Sequence, residues 1–325
     1  MVKIKCLDEK DRKILLELDK NSRQTDSEIA KKVRLSKQVT NYRIQNLKKK
    51  KIISNFYTVV NAGNLGFNSY YVFLQFEKIN KEQEDKLLKK INTLDYVGWL
   101  VSGLGRWDAV VLIYSDTIST FDKLLSKIIN ICGSHVHEYN FTTLITAEHI
   151  NYKFLGDKES LRLKQTEKKL ILKLDKIDKK ILKVISQDAR LSIVDISEKS
   201  KIPLHVVNYH LKSMIKQKII DGFKPKIDVN KLGYQWHLIL LQLQRVSEKR
   251  KEEFIKFCKQ HKKIYYVTNT IGTYNLMLDI HIKTVKEFKE ILLELKEKFS
   301  DVIKLYESIM IFEEYKINYF PSSLV

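Results

Sequence analysis

The two halves of this 325-residue sequence align with each other, without a gap, when the sequence is shifted by 167 positions. A register that is kept from the start of the first half to its end indicates one fold used twice, because chance similarity between two domains would drift out of register. The matched segments include Leu7-Asp8 with Leu174-Asp175, Asn41-Tyr42 with Asn208-Tyr209, Leu65-Gly66 with Leu232-Gly233, and Ile150-Asn151-Tyr152 with Ile317-Asn318-Tyr319.

The first 60 residues of the first copy have the pattern of a helix-turn-helix. Apolar spacing predicts helices over 8–19 and 26–33, and Ser36 offers an N-cap hydroxyl before a third helical segment, KQVTNYRIQNLKKKK. A strand-forming stretch over 52–60 follows and suits a wing. The side chains expected on the buried side of the third helix are Val39, Tyr42 or Arg43, Ile44 and Leu47.

The third helix has the residue types of a DNA-recognition helix. Arg pairs with guanine, Asn and Gln pair with adenine, and lysines neutralise phosphates whatever the sequence. Nine basic residues and no acidic residue lie from Lys31 to Lys51, although for any single lysine a solvated helix face is an equal alternative. We predict that the first copy contacts DNA through Ser36, Lys37, Gln38, Thr40, Asn41, Arg43, Lys48, Lys49 and Lys50.

The second copy keeps fewer polar residues on the corresponding helix. Pro203, Leu204 and Val207 replace Ser36, Lys37 and Thr40. We therefore expect the first copy to read sequence and the second to read a less polar site or to clamp the backbone. The candidate contacts in the second copy are His205, Asn208, His210 and Lys212.

The charge distribution supports double-stranded DNA as a partner. The formal net charge is +20, with 16 Lys and Arg against 7 Asp and Glu in residues 1–60, and 12 against 6 in residues 174–227. Residues 61–152 carry 8 against 10. A lysine-rich composition also arises from an AT-rich genome, but that explanation leaves the neutral segment between the two basic blocks unexplained.

Other features of the composition exclude several classes of protein. No apolar run reaches eighteen residues and no signal-peptide core is present, so we expect a soluble cytoplasmic protein with no membrane partner. Cys6, Cys132 and Cys258 are scattered, which argues against disulfides and a structural zinc site. No phosphate-binding loop, GxSxG elbow or HExxH pair occurs, so no cofactor and no metal are expected.

The second part of each copy has the order strand, helix, strand, strand, helix, strand, which predicts a ferredoxin-like α+β domain. Some strands are apolar on both faces, so we expect a second sheet, from the sister copy or another chain, to cover the face opposite the helices. The predicted domains are winged helix-turn-helices over 1–62 and 174–229, ferredoxin-like regulatory domains over 63–152 and 230–325, and a charged linker over 153–173.

The motifs in both copies resemble those of the Lrp/AsnC, or feast/famine, transcriptional regulators. They are LDEKDRKILLELDKNSR, LGF and GRWD in the first copy, and LDKIDKKILKVISQDAR, LGY and GTYN in the second. The resemblance implies a DNA-binding domain joined to a domain that dimerises and can bind an amino acid. The family normally has one copy per chain, so the fusion implies an internal pseudo-dimer, which would assemble further into a homo-oligomer.

The resemblance also suggests an effector site, which the sequence modifies. Gly105 and Asp108 match the loop near the family's effector pocket, while Gly272 and Asn275 occupy these positions in the second copy and omit the carboxylate. A turn glycine followed by a loop-capping Asp is the structural alternative. The family's glycine before the wing is replaced by Lys51 and by Lys218.

Two alternative functions remain open at this point. Relatives with this architecture decarboxylate siroheme, and the Tyr-Asn-Leu at 274–276 resembles part of their active-site loop. The basic cluster that would hold the tetrapyrrole carboxylates is missing. The second alternative is a chromatin-like protein that binds all DNA sequences alike, with the same salt dependence.

Overall fold

The computed structural model describes residues 7–150, 152–156, 163–166 and 171–324. The first copy begins with three helices, α1 (Glu9–Lys20), α2 (Asp26–Val33) and α3 (Lys37–Lys49). The side chains of Asp8, Thr25 and Ser36 accept hydrogen bonds from backbone N–H groups in the first turns of these helices, which explains where each begins. Ser36 is the N-cap that the sequence predicted.

The strands that follow the third helix of each copy pair with each other. Strand β1 (Ile53–Val60) pairs in antiparallel register with its counterpart β7 (Ile220–Ile227), which comes after the later helices described below. The strand expected as a wing therefore forms an inter-copy ribbon. Lys51 and Lys218, just before the two strands, have φ values of 55° and 60°, in the left-handed region that favours the glycine they replace.

The first regulatory domain has the predicted βαββαβ order. Its elements are β2 (Asn68–Phe76), α4 (Lys81–Asn92), β3 (Val97–Leu104), β4 (Ala109–Ser115), α5 (Ile118–Cys132) and β5 (Val136–His149). The strands lie in the order β5-β2-β4-β3, all antiparallel, as in a ferredoxin-like sheet.

The second copy repeats this arrangement. After the short strand β6 (Leu163–Thr166), which pairs with β5, come the helices α6 (Lys176–Ile185), α7 (Ile193–Ser200) and α8 (Leu204–Lys216). Strand β7 leads into β8 (Gln235–Leu243), α9 (Glu248–Gln260), β9 (Ile264–Gly272), β10 (Leu276–Ile282), α10 (Val285–Phe299) and β11 (Ile303–Ile317). The segment expected as a charged linker thus contributes a short strand, β6, to the sheet.

The two four-stranded sheets close into one eight-stranded ring. Strand β11 pairs with β3, and β5 pairs with β9, so both sheet edges of each copy are covered by the other copy. The interior is filled by apolar side chains from both copies, among them Phe73, Val110, Leu240 and Met277. The prediction that a sheet of the sister copy covers the second face is confirmed.

The helices of the regulatory domains lie on the outside of this ring. Helices α4 and α5 share one apolar cluster with the outer face of the first sheet, and α9 and α10 share another with the second sheet. Strand residues that alternate between the inner and outer clusters explain why both faces read as apolar in the sequence. None of the helices in the described part of the chain has the length and apolar composition of a membrane span.

Candidate nucleic-acid interface

Four of the exposed side chains on each recognition helix lie at matching positions with helical spacing. On α3 they are Gln38, Tyr42, Gln45 and Lys49, which we name the α3 stripe. On α8 they are His205, Tyr209, Lys212 and Lys216, the α8 stripe. The spacing i, i+4, i+7, i+11 places each set along one face of its helix. Tyr42 and Tyr209 are 70% and 69% exposed, so neither aromatic ring belongs to the core.

The buried side of α3 differs from the sequence expectation at Thr40 and Val39. Thr40 is fully buried, and its hydroxyl donates to the Ser36 carbonyl at 2.9 Å, so the expectation that it faces solvent is wrong. Val39, expected inside, is exposed. Of the two alternatives Tyr42 and Arg43, Arg43 is half-buried and Tyr42 is exposed. The inner face is set by Thr40 together with Ile44 and Leu47, which rotates the exposed face toward Tyr42 and Gln45.

Arg43 makes contacts within its own domain. Its Nη1 donates to Asp8 Oδ2 at 2.6 Å and to Asp11 Oδ1 at 2.8 Å, at the start of α1. Hydrogen bonds to these two carboxylates raise the pKa of the guanidinium above its ordinary value. This arrangement fastens the recognition helix to α1 and leaves Arg43 less available for a base edge.

His210 repeats this contact in the second copy. Its Nδ1 lies 2.8 Å from Asp178 Oδ1 and 3.8 Å from Asp175 Oδ2, the counterparts of Asp11 and Asp8. The side chain is half-buried. In both copies, therefore, a residue predicted to contact DNA lies against two carboxylates of its own domain. The alignment of the two halves already indicated this contact, because the basic residue and both aspartates occupy matching positions.

Asn41 also has an intramolecular partner. Its Nδ2 donates to Asp26 Oδ2 at 2.6 Å, and the other carboxylate oxygen of Asp26 receives a hydrogen bond from Arg190 of the second copy. The Asn41 side chain remains exposed. Asn208, its counterpart, is half-buried. These contacts connect the start of α3 to the opposite copy.

The lysines predicted to contact phosphate lie at both ends of α3. Lys37 is exposed at the N-terminal end, and Lys48 and Lys49 are exposed at the C-terminal end, where Lys50 caps the helix. The ammonium group of Lys48 lies 5.9 Å from the centre of the Phe56 ring. Within the described residues this end of α3 carries no acidic side chain, so the positive charge is available to a polyanion.

The four residues predicted at the effector loop all have structural contacts. A Cβ on Gly105 would lie 2.4 Å from the Ser308 carbonyl oxygen of β11, and one on Gly272 would lie 3.0 Å from the Phe141 carbonyl oxygen of β5. Both glycines thus permit the close approach of strands from opposite copies. This close approach requires glycine at both junctions.

Asp108 and Asn275 have equivalent roles in the two copies. Asp108 Oδ2 accepts from the Phe76 N–H at 2.7 Å, and Asn275 Oδ1 accepts from the Leu243 N–H at 2.9 Å. Burial raises the pKa of Asp108, whereas the Phe76 hydrogen bond lowers it, and the net shift is upward. Because an amide oxygen serves as well as a carboxylate here, the Asp-to-Asn difference between the copies has a structural explanation.

Tyr274, the first residue of the Tyr-Asn-Leu segment, is buried in the barrel. The Tyr274 hydroxyl accepts from Trp107 Nε1 at 2.7 Å and donates to Glu307 at 2.6 Å. Arg106, the neighbouring cation, is paired with Glu138 and Glu307 at 3.1 and 2.8 Å. The basic side chain beside this segment is therefore already neutralised by carboxylates.

Comparison with known proteins agrees with the duplicated architecture. The family model described as winged helix-turn-helix DNA-binding matches residues 7–54 and 174–221. The chain is 31% identical, over 134 residues, to the HTH-type transcriptional regulator Ptr1 of Methanocaldococcus jannaschii, covering 40% of this chain and 89% of Ptr1. It is 27% identical to the regulatory protein AsnC of Haemophilus influenzae, over 37% of this chain and 79% of AsnC.

Solved structures of one enzyme match the chain over both copies. The siroheme decarboxylase NirDL superposes with a TM-score of 0.63, covering 96% of this chain and 94% of that chain, at 14% identity. At this identity the similarity establishes a shared fold alone. The sequence relatives are regulators that correspond to a single copy, since each match spans less than half of this chain. The chain belongs to the Lrp/AsnC family of DNA-binding transcriptional regulators and contains the family's architecture twice in tandem.

Proposed function

We propose that the protein regulates transcription by binding a specific operator with two unlike half-sites. The observation that carries the proposal is the pair of exposed stripes on α3 and α8, which occupy the same four positions of two domains joined by the β1–β7 ribbon. A pseudo-two-fold protein fits a pseudo-palindromic site. At the first three positions of the stripes, only Tyr42 and its counterpart Tyr209 are chemically alike. Because the other two positions carry different side chains in the two copies, the two half-sites would differ in sequence.

The first copy carries the stronger base-reading chemistry. Gln38 and Gln45 can form bidentate hydrogen bonds to adenine, and Lys49 suits a phosphate. Tyr42, between them, offers a hydroxyl and an apolar ring that fits a thymine methyl group. On α8, His205 and Lys212 take the positions of the two glutamines. These two side chains can form fewer kinds of hydrogen bond to the edges of base pairs.

The experiment is selection of bound sequences from a random duplex pool, followed by fluorescence anisotropy on the selected duplex and on a scrambled one. Gln45→Ala should weaken binding to the selected duplex by about 1–3 kcal/mol and leave the scrambled duplex unaffected. Lys49→Ala should weaken both and reduce the salt slope by about 1. Lys89→Ala, exposed on α4, is the matched control and should change neither.

Two results would contradict the proposal. Equal affinity of the wild-type protein for selected and scrambled duplexes, with the same steep salt dependence, would identify a chromatin-like binder instead. No salt-dependent affinity for any duplex would remove the DNA-binding interpretation altogether.

We include an amino acid or a related small effector in the proposal, with Gly105, Asp108, Gly272 and Asn275 near its site. Family membership supports this part of the proposal. The four residues already have structural contacts, so their geometry adds no further support for an effector. Thermal-shift measurements with each of the twenty amino acids at millimolar concentration test it. A flat response would remove the amino-acid effector from the proposal.

Further assembly into a homo-oligomer is also proposed. The internal pairing of the two copies supplies the dimer contacts that single-copy family members obtain from a second chain, so one chain would act as a dimer and two chains as a tetramer. Sedimentation equilibrium tests this directly. A single species at the mass of one chain, 38.4 kDa, would contradict it.

Siroheme decarboxylation is the second candidate function, because the shared fold extends over both copies. We give it less weight, since Tyr274 is buried and Arg106 is paired with carboxylates. Incubation of the protein with siroheme, followed by mass analysis, decides it. Loss of carbon dioxide from the tetrapyrrole, absent without protein, would establish the enzyme.

A further inference from the structure

A cavity lies inside the closed ring at the end that faces the β1–β7 ribbon. It offers about 80 Å³ to the centres of water-sized molecules, which is room for roughly five to eight such groups. All eight strands of the ring contribute to its wall. Its aromatic lining includes Tyr57, Trp99, Tyr152, Trp236, Tyr265 and Tyr319.

Two buried histidines reach this cavity with unused hydrogen-bonding atoms. Both ring nitrogens of His149, and Nδ1 of His281, have no partner among the described residues. The two side chains are 6% and 4% exposed. Burial lowers the pKa of both, so each is neutral near pH 7 and presents a nitrogen that can accept a hydrogen bond. Buried polar atoms of this kind normally have a partner, which suggests a ligand or water.

Asp279 places a carboxylate in the same wall, and no cation of the described residues pairs with it. Its Oδ1 accepts from Trp236 Nε1 at 2.8 Å, and it forms no ion pair with a described residue. Lys226, which also lines the cavity, lies 3.3 Å from Glu314, and Lys224 on the same strand lies 3.1 Å from Asp19. Burial raises the pKa of Asp279 to about 7. A cationic ligand beside the carboxylate would lower this pKa again.

We propose that this cavity binds a small aromatic amine, with its ammonium group on Asp279 and its ring among the tyrosine and tryptophan side chains. An aromatic wall with one uncompensated carboxylate favours a cation, because ring faces and the carboxylate attract it together. The neutral imidazole of His149 can accept a further N–H or O–H from the ligand. An anion would meet the carboxylate and find no free cation among the described lining residues.

The ligand would contact both functional parts of the molecule. Tyr57 belongs to β1, Lys226 and Ile227 belong to β7, and the rest of the lining comes mainly from the barrel strands. Occupancy would therefore influence the ribbon that fixes the two recognition helices relative to each other. None of Gly105, Asp108, Gly272 and Asn275 lines the cavity, so this site is distinct from the effector loop. The regulatory consequence rests on the proposed function.

The binding site is tested by isothermal titration calorimetry with tyramine and histamine as probes and 4-hydroxyphenylacetate as the anionic counterpart of tyramine. The expected result is at least tenfold tighter binding of one or both amines than of the acid. Asp279→Asn should weaken amine binding at least tenfold. Asp122→Asn, exposed on α5, is the matched control and should bind as the wild type does.

Tryptophan fluorescence locates the bound amine. The chain has three tryptophans, and Trp99 and Trp236 both line the cavity, so the amine should alter their emission in a Trp107→Phe background. Amine binding that is no tighter than acid binding would overturn the proposal, and this comparison uses wild-type protein, so it remains decisive when a variant does not fold. Equal amine affinity in a folded Asp279→Asn protein would also overturn it.

The regulatory consequence is measured separately on the selected duplex. Saturating amine should change the affinity for that duplex at least threefold. No change would overturn the coupling to the ribbon. If the protein binds no duplex, the proposed function fails, whereas calorimetry still decides whether the cavity takes an amine.

Discussion

Arg23 and Arg190 occupy the same position in the two copies and make reciprocal contacts. Arg23 Nη1 donates to the Ala189 carbonyl at 2.7 Å, and Arg190 Nη1 donates to the Ser22 carbonyl at 2.6 Å. Each guanidinium also lies 5.5 Å from the ring of a phenylalanine on the ribbon. Such reciprocity is what an isologous interface requires, so the two helix-turn-helix domains form a dimer within one chain.

Replacing either arginine with alanine should weaken this internal interface. We expect Arg23→Ala and Arg190→Ala each to lower the free energy of unfolding by about 1.5–3 kcal/mol, because a charged donor is lost and buried carbonyl groups lose their partner. Urea denaturation followed by circular dichroism measures this. Arg245→Ala, at an exposed arginine after β8, should stay within about 0.5 kcal/mol of the wild type. Equal effects at all three positions would contradict the interface role.

The Arg43 contacts predict a uniform rather than a base-specific effect on DNA binding. Arg43→Ala removes the partner of Asp8 and Asp11 and should lower the free energy of unfolding by about 1–2 kcal/mol. The loosened α3 should then bind selected and scrambled duplexes more weakly by the same factor in fluorescence anisotropy. A loss confined to the selected duplex would show that Arg43 leaves its carboxylates and reads a base.

The repeat and the periodicities were sufficient to predict the helices, the βαββαβ order and the covering of one sheet by the other. The exposed face of α3 was misplaced because Thr40 is polar but can bury itself by bonding its hydroxyl to the Ser36 carbonyl. Apolar spacing alone leaves Tyr42 and Arg43 as alternatives for the inner face. Only the packing shows that Tyr42 and its counterpart Tyr209 are both exposed.

The cavity could not be predicted from the sequence, for a physical reason. Asp279 and Trp236 come from two paired strands of the second copy, and His149 comes from the first copy. His149 meets the other two only because the ring closes through the β5–β9 and β3–β11 pairings. The alternation of side chains along each strand shows which residues face the interior. It does not show which of them meet across a ring whose closure depends on register between copies.

The Asp19–Lys224 ion pair joins α1 of the first copy to the ribbon strand of the second. Both side chains are almost fully buried, and Asp19 Oδ2 has no hydrogen-bond partner among the described residues. Lys224→Met should lower the free energy of unfolding by about 3–5 kcal/mol, because it leaves a buried carboxylate without its cation. Urea denaturation measures the change.

The double variant Asp19→Leu with Lys224→Met separates the charge penalty from lost packing. Replacing both charges should recover much of the stability that Lys224→Met loses, since a buried ion pair contributes little more than apolar residues of similar size. A double variant as unstable as the sum of the two single variants would contradict the view that the unpaired charge is the cause.

His281 predicts how stability depends on pH. Burial lowers its pKa to about 3 in the folded protein, against about 6.5 in an unfolded chain. Between these values the unfolded chain holds a proton that the folded protein does not, so His281 makes the wild type less stable as pH falls from 6.5 toward 3. The slope from one such group reaches about 1.4 kcal/mol per pH unit.

His281→Phe keeps a ring against Tyr265, whose centre lies 4.0 Å away in the wild type, but removes the titrating group. Relative to the wild type, this variant should therefore gain about 2 kcal/mol in free energy of unfolding when the pH is lowered from 7 to 5. Taking the difference between the two proteins cancels opposing groups such as Asp279, whose raised pKa acts in the other direction. Parallel curves for His281→Phe and the wild type would show that His281 takes up its proton equally readily in the folded and the unfolded protein, which would contradict this account.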